Sequence, residues 1–537
     1  MLPLGDTLCI IAWVVAVASV PFIAWRLRHA PRTEVGVVLA ISIAAFAVRL
    51  MVPFGPLNAV DAGRLSPLWE HDSWWADDRF RSVPMALGVL RHLGVTPAFL
   101  LRYWGPIIGG LSIPVTYLCA RIFTLTWGPA ALAATLVATW PGLIHYTAGP
   151  ELSAEAGLLG TAAFAVAAAV DLGIVTLPLL ASLTTLTIYS RPEFRLIVIP
   201  LGILLSASAW SWRRRLMLAA LLAVPIAGYL PQVLHPEIDP GGGSLLATLV
   251  VHPLAYGLPW IVAAIAGVLV GNMPTRIRFA LGLAFAMFAG VYYARSHDAS
   301  LEWNEWRYLC TVVPWIAIAA GFLVDRLGTT TSDRIILASA FALALVPLFA
   351  GWGMLQERYA EQAEFAFVRD TAARAAPPGT TIYLLGRDGF GVAQSAAMLG
   401  LSDTFGPVTT ARWNCEAPRP VPTYHGPSIV LLDKLVERCP ETVSVDNSVL
   451  FLGLTRSDPH AAATLARYDL EPIIEHDEMV VPDGLESRAS SAFHGTPGMS
   501  LHAFFGWYRL HAVAGKTVVS GAPPSPAPGA PPSPTAP

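Results

Sequence analysis

Along the first 354 residues the apolar side chains come in long blocks, not in alternation, and the polar residues gather between the blocks. A helix needs about 20 apolar residues to cross the hydrocarbon core of a bilayer, and on that scale the chain offers about twelve candidate spans. They lie near 7–25, 33–53, 101–123, 127–147, 152–170, 172–189, 194–210, 215–232, 251–271, 277–294, 307–325 and 335–353. The first has the length of a signal peptide. It lacks a basic n-region, however, and its arginines follow it, which fits a retained helix. Between 152 and 210 the spans are short, and neighbours there can merge and change the count.

After residue 354 the pattern changes. Thr381–Leu385 and Ser428–Leu432 read as short buried strands. Helical stretches at 355–375 and 459–468 separate them, as in a small α/β domain. Residues 521–537 are almost entirely Pro, Ala, Gly and Ser, a composition that stays disordered. The expected fold class is an α-helical polytopic membrane protein with a C-terminal soluble α/β domain. Its parts are an extra N-terminal helix and turn at 1–32, a transmembrane domain at 33–354 with a long loop at 54–100, the α/β domain at 355–520, and a tail. There is no internal repeat.

Composition sharpens this picture. Of 537 residues 54% are hydrophobic and 13% charged, about half the roughly 25% charged residues of a soluble protein. A net charge of −3 leaves no basic field for nucleic acid. Only Lys434 and Lys516 are lysines, and with the abundant Ala, Gly and Pro this suggests a bacterial source and hence the cytoplasmic (inner) membrane. Positive charge marks the cytoplasmic side of a membrane protein. Arg26, Arg28 and Arg32 follow the first span. Counting alternately, Arg121, Arg213 to Arg215, Arg276 with Arg278, and Arg326 with Arg334 fall on the same side. The loop 54–100 and everything after 354 then face outward. Cys9, Cys119 and Cys310 lie in apolar blocks and act as small hydrophobes. Cys415 and Cys439 can pair if their compartment is oxidising. No Cys/His cluster points to zinc.

The loop 54–100 is richest in chemistry. It holds Asp61, Arg64, Glu70, His71, Asp72, Asp77, Asp78, Arg79 and Arg81, interleaved with Trp69, Trp74 and Trp75. A loop of this length between membrane helices usually has a function. Trp rings favour the interface, where an acid can take a proton from a hydroxyl and an Arg can hold an anionic head group. The competing reading is solvated loop charge beside an aromatic belt. The adjacent carboxylates Asp77 and Asp78 leave a divalent cation possible. A second group, Tyr189-Ser190-Arg191-Pro192-Glu193-Phe194-Arg195, interrupts an apolar stretch, and charges inside a membrane usually pair or line a cavity. The alternative is a turn at the water surface. His145, Glu151 and Glu155 flank another hairpin. Arg307 and Tyr308 enter an apolar helix carrying Pro314.

The order of these features resembles the GT-C membrane glycosyltransferases of the family 39 type, the protein O-mannosyltransferase-like and aminoarabinose-transferase-like enzymes. The match runs from Arg102-Tyr103-Trp104 to Arg121, through Ala130–Tyr146 and Glu151–Glu155, to Ser190-Arg191-Pro192-Glu193 and Arg307-Tyr308-Leu309 with Pro314. These residues are similar to the family's Arg-led second helix, its Ala/Leu-rich helix, its acidic helix start, its Thr-Arg-Pro-Glu motif and its late Arg-Tyr-Leu helix. The chain departs from the family pattern in the first outer loop. No Asp-Glu pair occurs there, Ala62 follows Asp61, and Ser82-Val83-Pro84-Met85 stands where the family has His/Lys-Pro-Pro-Leu.

The resemblance implies a sugar transferred from a polyprenyl-phosphate donor, a substrate and not a cofactor, to a hydroxyl of a glycan, lipid or protein acceptor on the outer face. It implies Asp61 or Asp72 as general base, and Arg191, Arg307 and Arg64 as candidates for holding the donor phosphate. Glu70, His71, Asp77, Asp78 and Glu151 are further candidate site residues, and no residue is assigned to a metal. The competing classes are a lipid or sugar transporter or flippase, which expects midplane charges and paired repeats, and a non-catalytic envelope scaffold derived from a glycosyltransferase.

Overall fold

A computed structural model describes residues 4–28, 30–52, 81–149, 152–168, 172–206, 210–228, 253–295, 309–328 and 333–351. Of the C-terminal part it describes 366–368, 370–376, 380–384, 428–431, 445–453, 465–479 and 502–512, with a few isolated positions between. The chain divides into two compact units, Met1–Ala366 with Glu478–Ala503, and Phe367–Asp477 with Phe504–Pro537.

The first unit is helical: α1 (Leu4–Ala18), α2 (Val20–Leu27), α3 (Arg32–Met51), α4 (Ser82–His92), α5 (Pro97–Ile122), α6 (Trp127–Thr139), α7 (Pro141–Tyr146), α8 (Leu152–Ala168), α9 (Thr176–Ser190), α10 (Val198–Ser206), α11 (Trp212–Gly228), α12 (Leu258–Val270), α13 (Thr275–Arg295), α14 (Val313–Leu327) and α15 (Asp333–Ala350). Each of the twelve apolar blocks carries helix. Among the described residues, Leu4–Trp25, Arg32–Met51, Arg102–Ile122 and Gly173–Ser190 are long and apolar enough to cross a membrane. The protein is a multi-pass membrane protein.

Prolines explain where blocks break. A proline has no N–H for the carbonyl four residues back and drives the preceding residue to extended geometry. Pro21 interrupts the first block, which becomes α1 and α2 with Ser19 between them. Pro141 splits the fourth into α6 and α7, with Trp140 extended at φ −70°, ψ 114°. The Val137 carbonyl that Pro141 frees lies 3.5 Å from Arg49 Nη2, a donor from α3. The segment 152–210 resolves into α8, α9, a 3₁₀ turn at Pro192–Ile197, and α10, with no merging. Helix α4 lies inside the stretch read as the outer loop. Its 11 residues are too few to register as a span, yet Val83, Met85 and Leu87 are fully buried.

Hydrogen bonds sort the helix termini into two ends. At one, Arg121 Nε lies 3.3 Å from the Glu34 carboxylate, and Thr126 donates to Asp325 at 2.5 Å. There too Arg326 donates to the Val270 carbonyl, and Arg278 donates to Gly271 at 2.7 Å. Arg121, Arg278 and Arg326, three of the arginines counted onto one side of the membrane, therefore lie at the same end. The opposite end carries Asp6, Arg81, Glu155 and Arg191, described below. Helix α1 begins there and packs against α9 and α4, so it is part of the bundle.

The second unit contains a five-stranded sheet in the order β2-β1-β3-β5-β4, from β1 (Thr381–Leu384), β2 (Ser428–Leu431), β3 (Ser448–Leu452), β4 (Tyr468–Met479) and β5 (His502–Ala512). The two strands read from the sequence, β1 and β2, pair in parallel with Tyr383 opposite Val430. Parallel pairing needs crossover connections, which accords with the α/β reading. Strand β3 pairs in parallel with β1 and antiparallel with β5, Leu450 opposite Tyr508. Tyr383, Leu450, Leu452, Tyr508 and Leu510 form the sheet's core, and Trp507 Nε1 donates to Thr371 Oγ1 at 2.8 Å. Within the helix expected at 355–375, residues 366–368 and 370–375 are helical. Of the one expected at 459–468, residues 459–464 lie outside the described residues, and Tyr468 already begins β4. On β4, Glu471 accepts from His511 at 3.0 Å and sits beside Arg509, and both hold its carboxyl below the usual range. Cys415 and Cys439 lie outside the described residues.

Within the bundle, α12 and α14 make the most extensive helix contact. Backbones in membrane bundles approach closely only where side chains are small. A β-carbon at Gly267 would lie 1.9 Å from the Ala319 carbonyl oxygen. Gly267→Val therefore forces these helices apart, and unfolding in detergent micelles should show a loss of about 1–3 kcal/mol. An unchanged melting profile contradicts the close crossing.

Candidate active site

The site begins with one buried carboxylate. Helix α8 opens with Leu152-Ser153-Ala154-Glu155, so Ser153 and Glu155 stand in its first turn, where backbone N–H groups lack partners and negative charge is favoured. Both are fully buried. Glu155 Oε1 accepts from Ser82 Oγ at 2.8 Å. The Trp104 indole lies beside the same carboxyl, and among the described residues Glu155 Oε2 has no further hydrogen-bond partner. No cation pairs with Glu155 among the described residues.

Arg191 approaches the same helix start from α9. Pro192 ends α9 and holds Arg191 extended at φ −151°, ψ 138°. Its side chain is 2% exposed, and Nη1 donates to Ser153 Oγ at 3.0 Å. The Ser-Arg-Pro-Glu segment is thus not a turn at the water surface at this position: the arginine is drawn into the bundle.

Ser82 is placed by three contacts. The Arg81 N–H donates to the Tyr189 carbonyl at 2.9 Å, which ties the start of α4 to the last turn of α9. The Arg81 guanidinium pairs with Asp6 at 3.0 Å, side chains 12% and 2% exposed. Trp13 Nε1 donates to the Ser82 carbonyl at 3.0 Å, and the Trp13 ring meets Trp104 edge-on at 6.0 Å between centroids. Helix α1 therefore supplies Asp6 and Trp13, two of the groups that hold Ser82 toward Glu155.

At the same end Arg49, fully buried, donates from Nε to Thr147 Oγ1 at 2.6 Å and from Nη1 to the Ala45 carbonyl at 2.9 Å. It has room because position 109 is glycine; a β-carbon there would lie 2.1 Å from Arg49 Nε. His145 is buried beside Tyr146, ring centroids 5.0 Å apart.

Of the residues singled out from the sequence, Arg191 is described and stands in the site. Asp61, Asp72, Arg64, Glu70, His71, Asp77, Asp78, Glu151 and Arg307 lie outside the described residues. Among the described residues no group of three or more His, Cys, Asp or Glu side chains comes together to hold a metal ion. Glu155, Ser153, Ser82 and Asp6 were not selected as site residues. A charged residue inside an apolar helix is the signal that finds Glu155 and Asp6; the serines carry none.

No family model matches the sequence, and no curated protein does. Among solved structures the chain is similar to ArnT from Cupriavidus metallidurans in the apo state, at 13% identity and a TM-score of 0.50, over 88% of this chain and 97% of that one. It is equally similar to the same protein bound to undecaprenyl phosphate, at 13% identity and a TM-score of 0.50, over 89% and 98%. The chain has an ArnT-like fold. Its nearly complete overlap with ArnT places this chain among proteins built on that plan, with a C-terminal domain following the membrane bundle.

Breaking a buried ion pair leaves one charge uncompensated, which costs about 3–5 kcal/mol. Asp6→Ala should approach the lower end of that range in micelle unfolding. Asp6→Glu, which keeps the charge, should lose less. Equal behaviour of both variants and wild type would remove Asp6 from the account.

Proposed function

We propose that the protein is a membrane glycosyltransferase that moves a sugar from a polyprenyl-phosphate donor to an acceptor hydroxyl on the extracytoplasmic face. The observation that carries this reading is a fully buried acid, Glu155, beside an inward-turned arginine, Arg191, at one end of a GT-C bundle. The solved ArnT structure bound to undecaprenyl phosphate supports a lipid-phosphate donor. The arginine end of the bundle, by the positive-inside rule, faces the cytoplasm, which puts Glu155 and Arg191 toward the outer face.

The reaction is a single displacement. A carboxylate takes the proton of the acceptor hydroxyl as its oxygen attacks the anomeric carbon. The bond from that carbon to the phosphate oxygen breaks, and the phosphate leaves with the electron pair. Its negative charge needs fixed cations more than it needs a proton. Arg191 serves that role, with Arg307 and Arg64 as the other candidates. Asp61 and Asp72 are the base candidates that the family resemblance implies. Glu155 joins them, because Oε2 retains lone pairs able to accept a hydroxyl proton. Grooves between helices hold the prenyl chain.

The test is reconstitution with radiolabelled polyprenyl-phosphate sugars and membrane extract, in sealed vesicles of both orientations. Wild type is compared with Asp61→Asn, Asp72→Asn and Glu155→Gln. The reading expects transfer only where the acceptor reaches the extracytoplasmic face. It also expects one substitution to lower turnover about 10²–10⁴-fold, the usual contribution of a general base. Well-folded wild type that forms no glycosidic bond from any common donor would overturn it.

A further inference from the structure

Helix α1 turns one stripe toward the bundle. Asp6, Cys9 and Ala12 are buried, whereas Ile11 and Val14 on the far face are exposed. Asp6 and Trp13 are seven residues apart, close to two helical turns, so they share the inward stripe about 10 Å from one another. Asp6 makes the lower anchor through its pair with Arg81 at 3.0 Å. Position 5 is glycine, and a β-carbon there would lie 2.6 Å from Arg81 Nη1, so the glycine leaves the guanidinium its path to Asp6. This anchor ties the first turn of α1 to the start of α4.

Two turns along, Trp13 touches both groups that border Glu155. Its Nε1 donates to the Ser82 carbonyl at 3.0 Å, and its ring meets the Trp104 ring edge-on, with centroids 6.0 Å apart and planes at 69°. Ser82 Oγ donates to Glu155 Oε1 at 2.8 Å, and the Trp104 indole lies beside the same carboxyl. Ser82 belongs to α4 and Trp104 to α5, so one side chain of α1 grips two neighbours of the acid on separate helices. The last torsion of a Glu side chain is soft. With Oε1 held by Ser82, the direction of Oε2 is set as well. Reacting groups stay within about 0.5 Å of a working geometry only where the residues around them are themselves locked by packing and hydrogen bonds. Trp13 supplies one of each: a hydrogen bond to the main chain at Ser82 and a ring contact to Trp104.

We propose that Trp13 is a positioning residue of the transferase, acting through Ser82 and Trp104 to aim Glu155 Oε2 at the acceptor hydroxyl. The inference rests on the transferase reading, with Glu155 as the base that takes the hydroxyl proton. Trp13 acts only through its neighbours and needs no contact with either substrate. A misplacement of about 1 Å at a reacting group lowers the rate by as much as about 10²-fold. The donor is bound by other groups, so the loss falls on kcat and leaves KM in place.

The experiment measures kcat and the donor KM of the reconstituted full chain, with radiolabelled polyprenyl-phosphate sugars and membrane extract. Trp13→Phe keeps a ring and removes the N–H, whereas Trp13→Leu removes both contacts. Trp13→Phe should lower kcat about 10-fold and Trp13→Leu about 10²-fold, with KM held within about twofold. Val14→Ala, on the exposed face of the same helix, should match wild type. In a Glu155→Gln background Trp13→Phe should lower kcat no further, because the group it aims is already gone. Size exclusion and melting check that the variants compared are folded, and if Trp13→Leu is not, Trp13→Phe carries the test. An unchanged kcat in Trp13→Phe, a loss that appears in KM alone, or the same loss with and without Glu155 would overturn the proposal while leaving the transferase reading intact. So would undiminished transfer by Glu155→Gln. Wild type that forms no glycosidic bond from any common donor overturns the transferase reading itself, and this inference with it.

Discussion

A carboxyl group inside an apolar bundle has to be met by hydrogen-bond donors, because no water is there to meet it. Glu155 is that group, and much of one end of the protein is arranged around it. Ser82 donates to it, Trp104 flanks it, and Ser153, two residues before it, holds Arg191. Ser82 in turn stays in place because Arg81 is bonded to Tyr189 and Asp6, and because Trp13 holds the Ser82 carbonyl. Five helices, α1, α4, α5, α8 and α9, thus converge on one short stretch of chain. Among the described residues one oxygen of Glu155 is left over, and an incompletely satisfied buried acid is where chemistry is expected in a membrane domain.

The same economy of polar groups governs the rest of the bundle. Prolines free carbonyls, and arginines approach or take them: Arg49 faces the carbonyl that Pro141 leaves open, and Arg102 holds the Leu50 and Val52 carbonyls at the end of α3. Small residues let the backbones close in, as Gly267 does against Ala319. At the opposite end Glu34 pairs with Arg121, Asp325 accepts from Thr126, and Arg278 and Arg326 donate to helix carbonyls. The charges therefore sit in two layers with an apolar middle between them, as a bilayer requires. α1 adds a device of its own: its first turn reaches the site through Asp6.

Much of this was legible in the sequence because it depends on local pattern. The twelve apolar blocks carry helix, and β1 and β2 fall on the two short apolar runs read as strands. Arg191-Pro192 marked a polar interruption whose inward direction follows from proline geometry. What was not legible depends on distant partners. Ser82 and Glu155 are 73 positions apart and Asp6 and Arg81 are 75 apart, and nothing in the spacing of a single chain announces such pairs. Helix α4 escaped because its 11 residues fall below membrane length, although its packing is as tight as that of a span. Glu155 was visible as a charge in an apolar helix, but its position beside a hairpin made it read as an edge residue, where burial makes it an interior one.

The claim on which the account rests is that Glu155 is held by Ser82. A double-mutant cycle with Ser82→Ala and Glu155→Gln, read as unfolding free energies in micelles, measures that interaction directly. Groups in one buried network couple by about 0.5–3 kcal/mol, and the account predicts a coupling in that range. Strictly additive effects of the two substitutions would contradict it, and would leave Glu155 a buried acid that the α4 segment does not serve.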